Sequence, residues 1–147
     1  MTNVHLKGKR VHLITQDPAV ARLIRDILAP HKVTIFHADS PQKAVVHAMS
    51  KPADLLIYDE KMPKLDGKDL LHAIRMKLPK TPLAFVSEHG GDSCSIDYSA
   101  RGADAIIGRS ADKQQIYNAI CHAMGVPFER EPGVRGFHGV LNSEAPA

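Results

Sequence analysis

The chain has 147 residues, of which 44% are hydrophobic and 24% charged, as is ordinary for one globular domain with tails. Its formal net charge of +3 is not concentrated in a dense Lys/Arg cluster, which gives little support to a nucleic-acid-binding protein. No apolar run has the length of a membrane span and the first ten residues lack the apolar core of a signal peptide, so we expect a cytoplasmic protein without a membrane segment.

Strand-like and helix-like segments alternate along the chain. Short apolar runs predict strands at residues 11–15, 33–36, 55–59, 82–86 and 105–108. The first two helices are predicted to begin at Asp17-Pro18 and Ser40-Pro41, because each pair puts an N-cap side chain before a proline at the first helical position. Apolar residues then recur on one face of each helix, namely Ala19, Val20, Leu23, Ile24, Ile27 and Leu28 in the first and Ala44, Val45, Ala48 and Met49 in the second.

The second half of the chain continues this alternation. A third helix is predicted after Asp66-Gly67, with its apolar face formed by Leu70, Leu71, Ile74 and Leu78. A further helix is expected by position at residues 89–101, but this segment is rich in Gly and Ser, so we expect it to be short or frayed. The last helix is predicted at residues 111–124, with Gly125 as its stop.

Five strand–helix units of this regularity predict an α/β fold, a five-stranded parallel sheet with helices on both faces. We expect residues 1–9 to be an N-terminal tail and residues 10–125 to form the domain. Residues 126–147 are rich in Pro, Gly and polar residues without periodicity, so we expect a disordered C-terminal tail.

The segment with the most information about function is the run from Leu55 to Gly67. Four large apolar residues predict a strand that is buried on both faces, and Asp59 comes directly at its end. Open α/β sheets place their ligands and their reaction chemistry at the carboxyl ends of such strands. A carboxylate there is a phosphoryl acceptor, a metal ligand or a cap for the following turn.

Over about residues 10–125 the chain resembles the receiver domains of response regulators, the CheY-like family. Asp59 with Met62-Pro63 and Asp66-Gly67 matches the phosphoacceptor strand and loop of that family, and Ser87 matches its hydroxyl position at the end of the fourth strand. Gly102-Ala103-Asp104 matches the approach to the fifth strand. The resemblance implies the flavodoxin-like (βα)5 receiver fold and the transfer of a phosphoryl group from a phosphohistidine or a small phosphodonor to Asp59.

The metal site of the family is altered in this sequence. Receivers hold Mg²⁺ with an acidic pair after the first strand together with the acceptor Asp. In the ungapped match this pair falls on Thr15 and Gln16, neither of which is charged, so we expect Mg²⁺ binding to be weak or absent. A slip of one residue would bring Asp17 to the metal with Asp59, although the helix start at Asp17-Pro18 is a sufficient role for that residue.

Two further positions depart from the family pattern. The family's Lys after the fifth strand maps onto Arg109, whose guanidinium can either pair with Asp59 or point into solvent. Ser110 replaces the proline that usually follows, and because a non-proline cis peptide costs roughly 2.5–4 kcal/mol, we expect a trans bond there. The aromatic switch position is Ile106, which can pack inward but carries no polar ring.

The resemblance leads to two hypotheses about function. The favoured one is a divergent, stand-alone receiver of a two-component or phosphorelay system, which is not an enzyme, acts by protein–protein interaction and has impaired Mg²⁺-dependent phosphorylation. The alternative is a working phosphoacceptor that a histidine kinase or phosphotransfer protein phosphorylates on Asp59, with Asp17 and Asp59 as metal ligands and Arg109 in place of Lys.

A small enzyme on the same scaffold is the least favoured class, because no Gly-rich phosphate loop follows the first strand. The tail is too short to be a DNA-binding domain. We therefore expect the partner to be a protein, namely a histidine kinase, a phosphotransfer protein or a downstream regulator.

Overall fold

In the structure, a computed structural model, residues 3–88 and 102–128 are described. Five strands form one parallel sheet in the order β2-β1-β3-β4-β5. Their bounds are Arg10–Ile14 for β1, Thr34–Ala38 for β2, Leu55–Asp59 for β3, Leu83–Ser87 for β4 and Ala105–Gly108 for β5. Because all pairs are parallel, the carboxyl ends of the strands lie at one edge of the sheet.

Helices cover both faces of this sheet. Within the described residues they are α1 (Pro18–Leu28), which a short 3-10 turn (Ala29–His31) follows, α2 (Pro41–Ser50), α3 (Leu70–Lys77) and α4 (Lys113–Met124). One core cluster joins α1 and α4 to the sheet, and a second joins α2 and α3 to its other face. The predicted α/β architecture is confirmed. The helix predicted at residues 89–101 and the tail from residue 129 onward lie outside the described residues.

Local capping determines where the helices begin and end. Asp17 accepts a hydrogen bond from the Ala19 amide at 2.9 Å, and Ser40 accepts one from the Lys43 amide at 3.2 Å, as the Asp-Pro and Ser-Pro pairs predicted. The last helix begins at Lys113 rather than at residue 111, because Asp112 and Gln115 form a capping box. Gly125 ends it in the left-handed region at φ +67°, where glycine is unstrained.

The predicted apolar faces of the first two helices are wrong at single positions. In α1, Ala19 is exposed whereas Ala21 is buried. In α2, Met49 is 65% exposed, because this helix packs on the sheet through the small residues Ala44 and Ala48 and buries only a narrow stripe. No helix in the described part of the chain is long and apolar enough to cross a membrane.

Packing extends beyond both ends of the predicted domain. Leu6 is fully buried in the cluster with α1 and α4, although residues 1–9 were predicted to be a tail. The Asn3 side chain donates to the Tyr117 hydroxyl at 2.8 Å and to the Pro127 carbonyl at 2.9 Å, and Val126 is also buried. The folded unit therefore begins before residue 10 and continues past residue 125, since these flanking residues close the α1–α4 face.

Candidate functional site

The candidate site lies at the carboxyl edge of the sheet, around the end of its central strand. Asp59 ends β3, and the neighbouring strands β1 and β4 bring Thr15 and Ser87 to the same edge. Arg109 directly follows β5, one strand further along. Thr15, Asp59 and Ser87 are at most 1% exposed. The topology thus places the hydroxyl, carboxylate and guanidinium residues that the sequence singled out in one buried cluster.

Both oxygens of the Asp59 carboxylate accept hydrogen bonds. Arg109 Nη2 lies 2.7 Å from both Oδ1 and Oδ2. Thr15 Oγ1 donates to Oδ2 at 2.7 Å, and the Lys61 amide donates to Oδ1 at 2.9 Å. A buried carboxylate without such partners would be strongly unfavourable, so these donors are what allow a charged group at this depth.

The two interpretations of Arg109 are resolved by its side chain, which points inward and is 15% exposed. It pairs with Asp59 instead of extending into solvent, although only one nitrogen of the fork makes the contact. Nη1 is buried and has no hydrogen-bond partner within residues 3–88 and 102–128, which costs about 1–3 kcal/mol for a typical buried donor. The peptide that follows, Arg109–Ser110, is trans, since the described residues contain no cis peptide bond.

Thr15 connects the site to the start of α1. Its hydroxyl donates to Asp59 and accepts from the Asp17 amide at 3.0 Å. The Asp17 carboxylate in turn caps α1 through the Ala19 amide, and Gln16 is exposed. The segment that carries the acidic pair in the family here provides an uncharged hydroxyl donor to Asp59 and a helix cap.

These residues do not fit a divalent metal. Mg²⁺ is held by carboxylates, substrate oxygens and waters in near-octahedral geometry. The carboxylate oxygens of Asp59 already face a cationic guanidinium and a hydroxyl proton. In residues 3–88 and 102–128 no three His, Cys, Asp or Glu side chains come together as a cluster that could hold a metal ion. The Asp17 carboxylate caps α1, and its metal role with Asp59 stays a prediction.

The remaining two predicted positions lie on β4 and β5. Ser87 is buried at the end of β4, and its carbonyl accepts from the Arg109 amide at 2.9 Å, which ties the two strand ends together. Ile106 is 7% exposed and packs in the core cluster that contains Phe85 and Tyr58. The inward packing of Ile106 agrees with the prediction, whereas its role at a switch position stays a prediction.

Sequence reasoning missed the charged residues beside the site. Lys61 Nζ lies 2.7 Å from Glu88 Oε1, and the same oxygen lies 3.5 Å from Arg109 Nε. The Glu88 amide donates to Glu60 Oε2 at 2.9 Å. A usable signal existed, because Glu60 and Lys61 follow Asp59 directly and Glu88 follows Ser87, so the order of the strands brings these residues together.

Comparison with known proteins identifies the family. The sequence profile described as the response regulator receiver domain matches residues 11–121, well over half of the chain. The chain belongs to this family. Receiver domains are signalling modules, and the match of Asp59 to the phosphoacceptor position of the family stays a prediction from the sequence.

Individual relatives are distant. The luminescence regulatory protein LuxO of Vibrio campbellii is 24% identical over 136 residues, which cover 89% of this chain and 30% of LuxO. The transcriptional regulatory protein GlrR of Escherichia coli is 24% identical over 118 residues, or 80% of this chain and 27% of GlrR. The chain therefore spans less than a third of the length of these curated relatives.

Solved structures agree with the fold. A response regulator from Desulfuromonas acetoxidans superposes with a TM-score of 0.71 at 20% identity, covering 80% of this chain and 97% of that one. A CheY-like receiver domain protein from Methanospirillum hungatei gives 0.68 at 19% identity, covering 81% and 95%. At these identities the likeness concerns the receiver fold alone.

Proposed function

We propose that this receiver domain acts in a two-component or phosphorelay system by binding a protein partner, with the charge of Asp59 neutralised by Arg109 rather than by Mg²⁺. The observation that carries the proposal is the contact of Arg109 Nη2 with both oxygens of Asp59 at 2.7 Å. In this proposal the domain is a signalling module without turnover of a substrate of its own, and its phosphorylation is impaired.

The first argument concerns the cation. A divalent ion needs carboxylate oxygens, and Asp59 is the one buried carboxylate among the described residues. Thr15 presents a proton to Asp59, and Gln16 is exposed and uncharged. A metal ion would have to displace the Arg109 guanidinium from Asp59. It would then be bound by one carboxylate, whereas receivers of the usual kind provide an acidic pair in addition to the acceptor Asp.

The second argument concerns the chemistry. Transfer of a phosphoryl group depends on positioned positive charge, most of which is supplied by the metal in receivers of the usual kind. It also needs a carboxylate oxygen that is free to attack. Here both oxygens accept hydrogen bonds, and among the described residues Arg109 supplies the one charged group in contact with them, so we expect slow or absent reaction with small phosphodonors.

A second candidate function is the working phosphoacceptor. It is favoured by the position of Asp59 and Ser87 at the ends of adjacent strands, where both are buried, as the resemblance implies for an acceptor and its hydroxyl residue. A histidine kinase or phosphotransfer protein would then have to open the Arg109 contact when it docks.

The partner follows from the same proposal. We expect a histidine kinase, a phosphotransfer protein or a downstream regulator to bind this domain. The cytoplasmic location stays a prediction from the sequence.

The test is the intact mass of the protein after incubation with acetyl phosphate and Mg²⁺. The comparison variants are Asp59→Asn and the triple variant Thr15→Asp/Gln16→Asp/Arg109→Lys, which restores the family's charges. We expect no adduct on the wild type or on Asp59→Asn, and a phosphate-sized adduct on the folded triple variant. An adduct on the wild type that disappears in Asp59→Asn would overturn the proposal in favour of the phosphoacceptor.

A further inference from the structure

The Arg109 guanidinium is not oriented as expected for a simple ion pair with Asp59. An unconstrained arginine–carboxylate pair commonly forms two parallel N–H···O bonds, one from each of two guanidinium nitrogens. Here Nη2 bridges both oxygens, and Nη1 is buried without a hydrogen-bond partner among the described residues. A second acid that attracts the guanidinium accounts for this rotated position.

Glu88 is a second acid beside this guanidinium. Its Oε1 lies 3.5 Å from Arg109 Nε, a distance at which the attraction is that of an ion pair rather than of a hydrogen bond. Glu88 follows the last residue of β4, and its backbone amide donates to Glu60 Oε2 at 2.9 Å. The end of β4 thus brings this carboxylate to Arg109.

Lys61 contacts both acids, one through its side chain and the other through its backbone. Its ammonium lies 2.7 Å from Glu88 Oε1, and its backbone amide donates to Asp59 Oδ1 at 2.9 Å. The charged side chains thus form a row in the order Asp59, Arg109, Glu88 and Lys61. The side chains of Lys61 and Glu88 are 60% and 46% exposed, whereas those of Arg109 and Asp59 are 15% and 2% exposed.

We propose that Glu88 is a positioning residue that, with Lys61 as its counter-ion, sets how the Arg109 guanidinium holds Asp59. The inference rests on the proposed function, in which Arg109 is the cation of the site. The exposed pair Lys61–Glu88 then gives a partner access to the buried pair. A partner side chain that binds Lys61 or Glu88 changes the electrostatic field on Arg109 Nε. A charged partner can in this way change how Arg109 holds Asp59 without contacting Asp59 itself.

The experiment is NMR of the full chain with ¹⁵N-labelled arginine and ¹³C-labelled aspartate. It follows the Arg109 Nε–Hε signal and the Asp59 carboxyl carbon, which Arg109→Lys and Asp59→Asn assign. The variants are Glu88→Gln, Lys61→Gln and the conservative Glu88→Asp. Lys64→Gln is the matched control, because Lys64 is an exposed lysine on the same loop.

We expect Glu88→Gln to shift both signals, Lys61→Gln to shift them in the same direction by a smaller amount, and Glu88→Asp to return them toward the wild-type values. Lys64→Gln should leave both in place. If Glu88→Gln and Lys61→Gln both leave the two signals at their wild-type positions in folded protein, the positioning role is overturned.

The same spectra separate this inference from the function on which it rests. A wild-type Arg109 signal that does not change on Asp59→Asn means that the buried pair itself is absent, which contradicts the proposed function. A wild-type signal that responds to Asp59→Asn but to neither Glu88→Gln nor Lys61→Gln contradicts the positioning role alone.

Discussion

Arg109 Nη2 lies 2.7 Å from both carboxylate oxygens of Asp59, although the two residues are fifty positions apart in the chain. The contact joins the ends of β3 and β5 across β4, whose last residue, Ser87, accepts a hydrogen bond from the Arg109 amide. The carboxylate at the centre of the site is therefore held by the protein's own cation.

This pair should contribute measurably to stability. Arg109→Met leaves the Asp59 charge buried, and removal of one partner from a buried ion pair typically destabilises a protein by about 3–5 kcal/mol. Because Arg109 retains some exposure, we expect a loss at or below the lower end of that range, about 2–3 kcal/mol, in urea unfolding. In Asp59→Asn/Arg109→Met the losses should be far from additive. Additive losses would show that the two side chains do not interact.

Thr15 should contribute through its two hydrogen bonds. Thr15→Val keeps the shape of the side chain but removes the donor to Asp59 and the acceptor for the Asp17 amide. Hydrogen bonds to charged groups contribute about 1.5–3 kcal/mol, so we expect a loss of free energy of unfolding in that range. Thr34→Val, at an exposed position of β2, is the control and should change stability by less than about 0.5 kcal/mol.

Acidic residues at positions 15 and 16 should create a Mg²⁺ site whose affinity rises when the Arg109 contact with Asp59 is weakened. We expect Thr15→Asp/Gln16→Asp to bind Mg²⁺ weakly in calorimetric titration and the same variant with Arg109→Lys to bind at least ~10-fold more tightly, because a flexible ammonium leaves Asp59 more readily than a planar fork does. Gln42→Asp, which adds an exposed acid on α2, should bind no Mg²⁺. Equal affinities in the two site variants would argue against competition between Arg109 and the metal.

Stability should fall in mild acid because of buried histidines. Burial lowers the pKa of His12 from 6.5, with a smaller contribution from His47, while a bond to the Pro52 carbonyl acts in the opposite direction. Burial likewise lowers the pKa values of His47 and His31, and Lys51 and Lys43 add to the effect on His47. The His31 Nδ1 accepts from the Asn3 amide, which requires an unprotonated nitrogen.

The direction of this pH dependence follows from the number of protons that the folded and unfolded chains bind. Below about pH 6.5 the unfolded chain protonates these histidines before the folded chain does, so the free energy of unfolding decreases as the pH falls, by up to about 1.4 kcal/mol per pH unit for each proton. Urea unfolding at pH 8, 6.5 and 5.5 measures this dependence. His12→Gln should flatten it, whereas His5→Gln, at an exposed residue, should not. A wild-type stability that is constant or rises toward pH 5.5 would be inconsistent with the buried neutral histidines.

Cys121 should be unreactive in the folded protein. It is fully buried, and burial raises its pKa from 9.0 to about 12, although a hydrogen bond with Tyr117 acts in the opposite direction. Because the thiolate is the reactive form, we expect Cys121 in a Cys94→Ser background to react with Ellman's reagent at pH 8 at least ~100-fold more slowly than after unfolding in urea. Fast labelling without denaturant would show that the α4 face opens readily.

The elements and the strand ends could be predicted because their signals are local. Asp-Pro and Ser-Pro pairs put the starts of α1 and α2 at the observed residues, since a cap needs only an oxygen and the next turn of backbone. The bounds of β3 and β5 agree with their apolar runs. Local patterns were less informative about burial, as Met49 shows, because the depth of a helical face depends on how closely the helix approaches the sheet.

Sequence patterns alone were sufficient for the α/β architecture, for Asp59 at the end of a buried strand, and for the absence of acids at Thr15 and Gln16, because apolar spacing, capping and residue identity are properties of the chain itself. They left open whether Arg109 faces solvent or Asp59, and they did not reveal Glu88 and Lys61 as its neighbours. Only the tertiary structure decided these points, since the direction of a side chain at a strand end depends on charges that the sheet order brings from other strands.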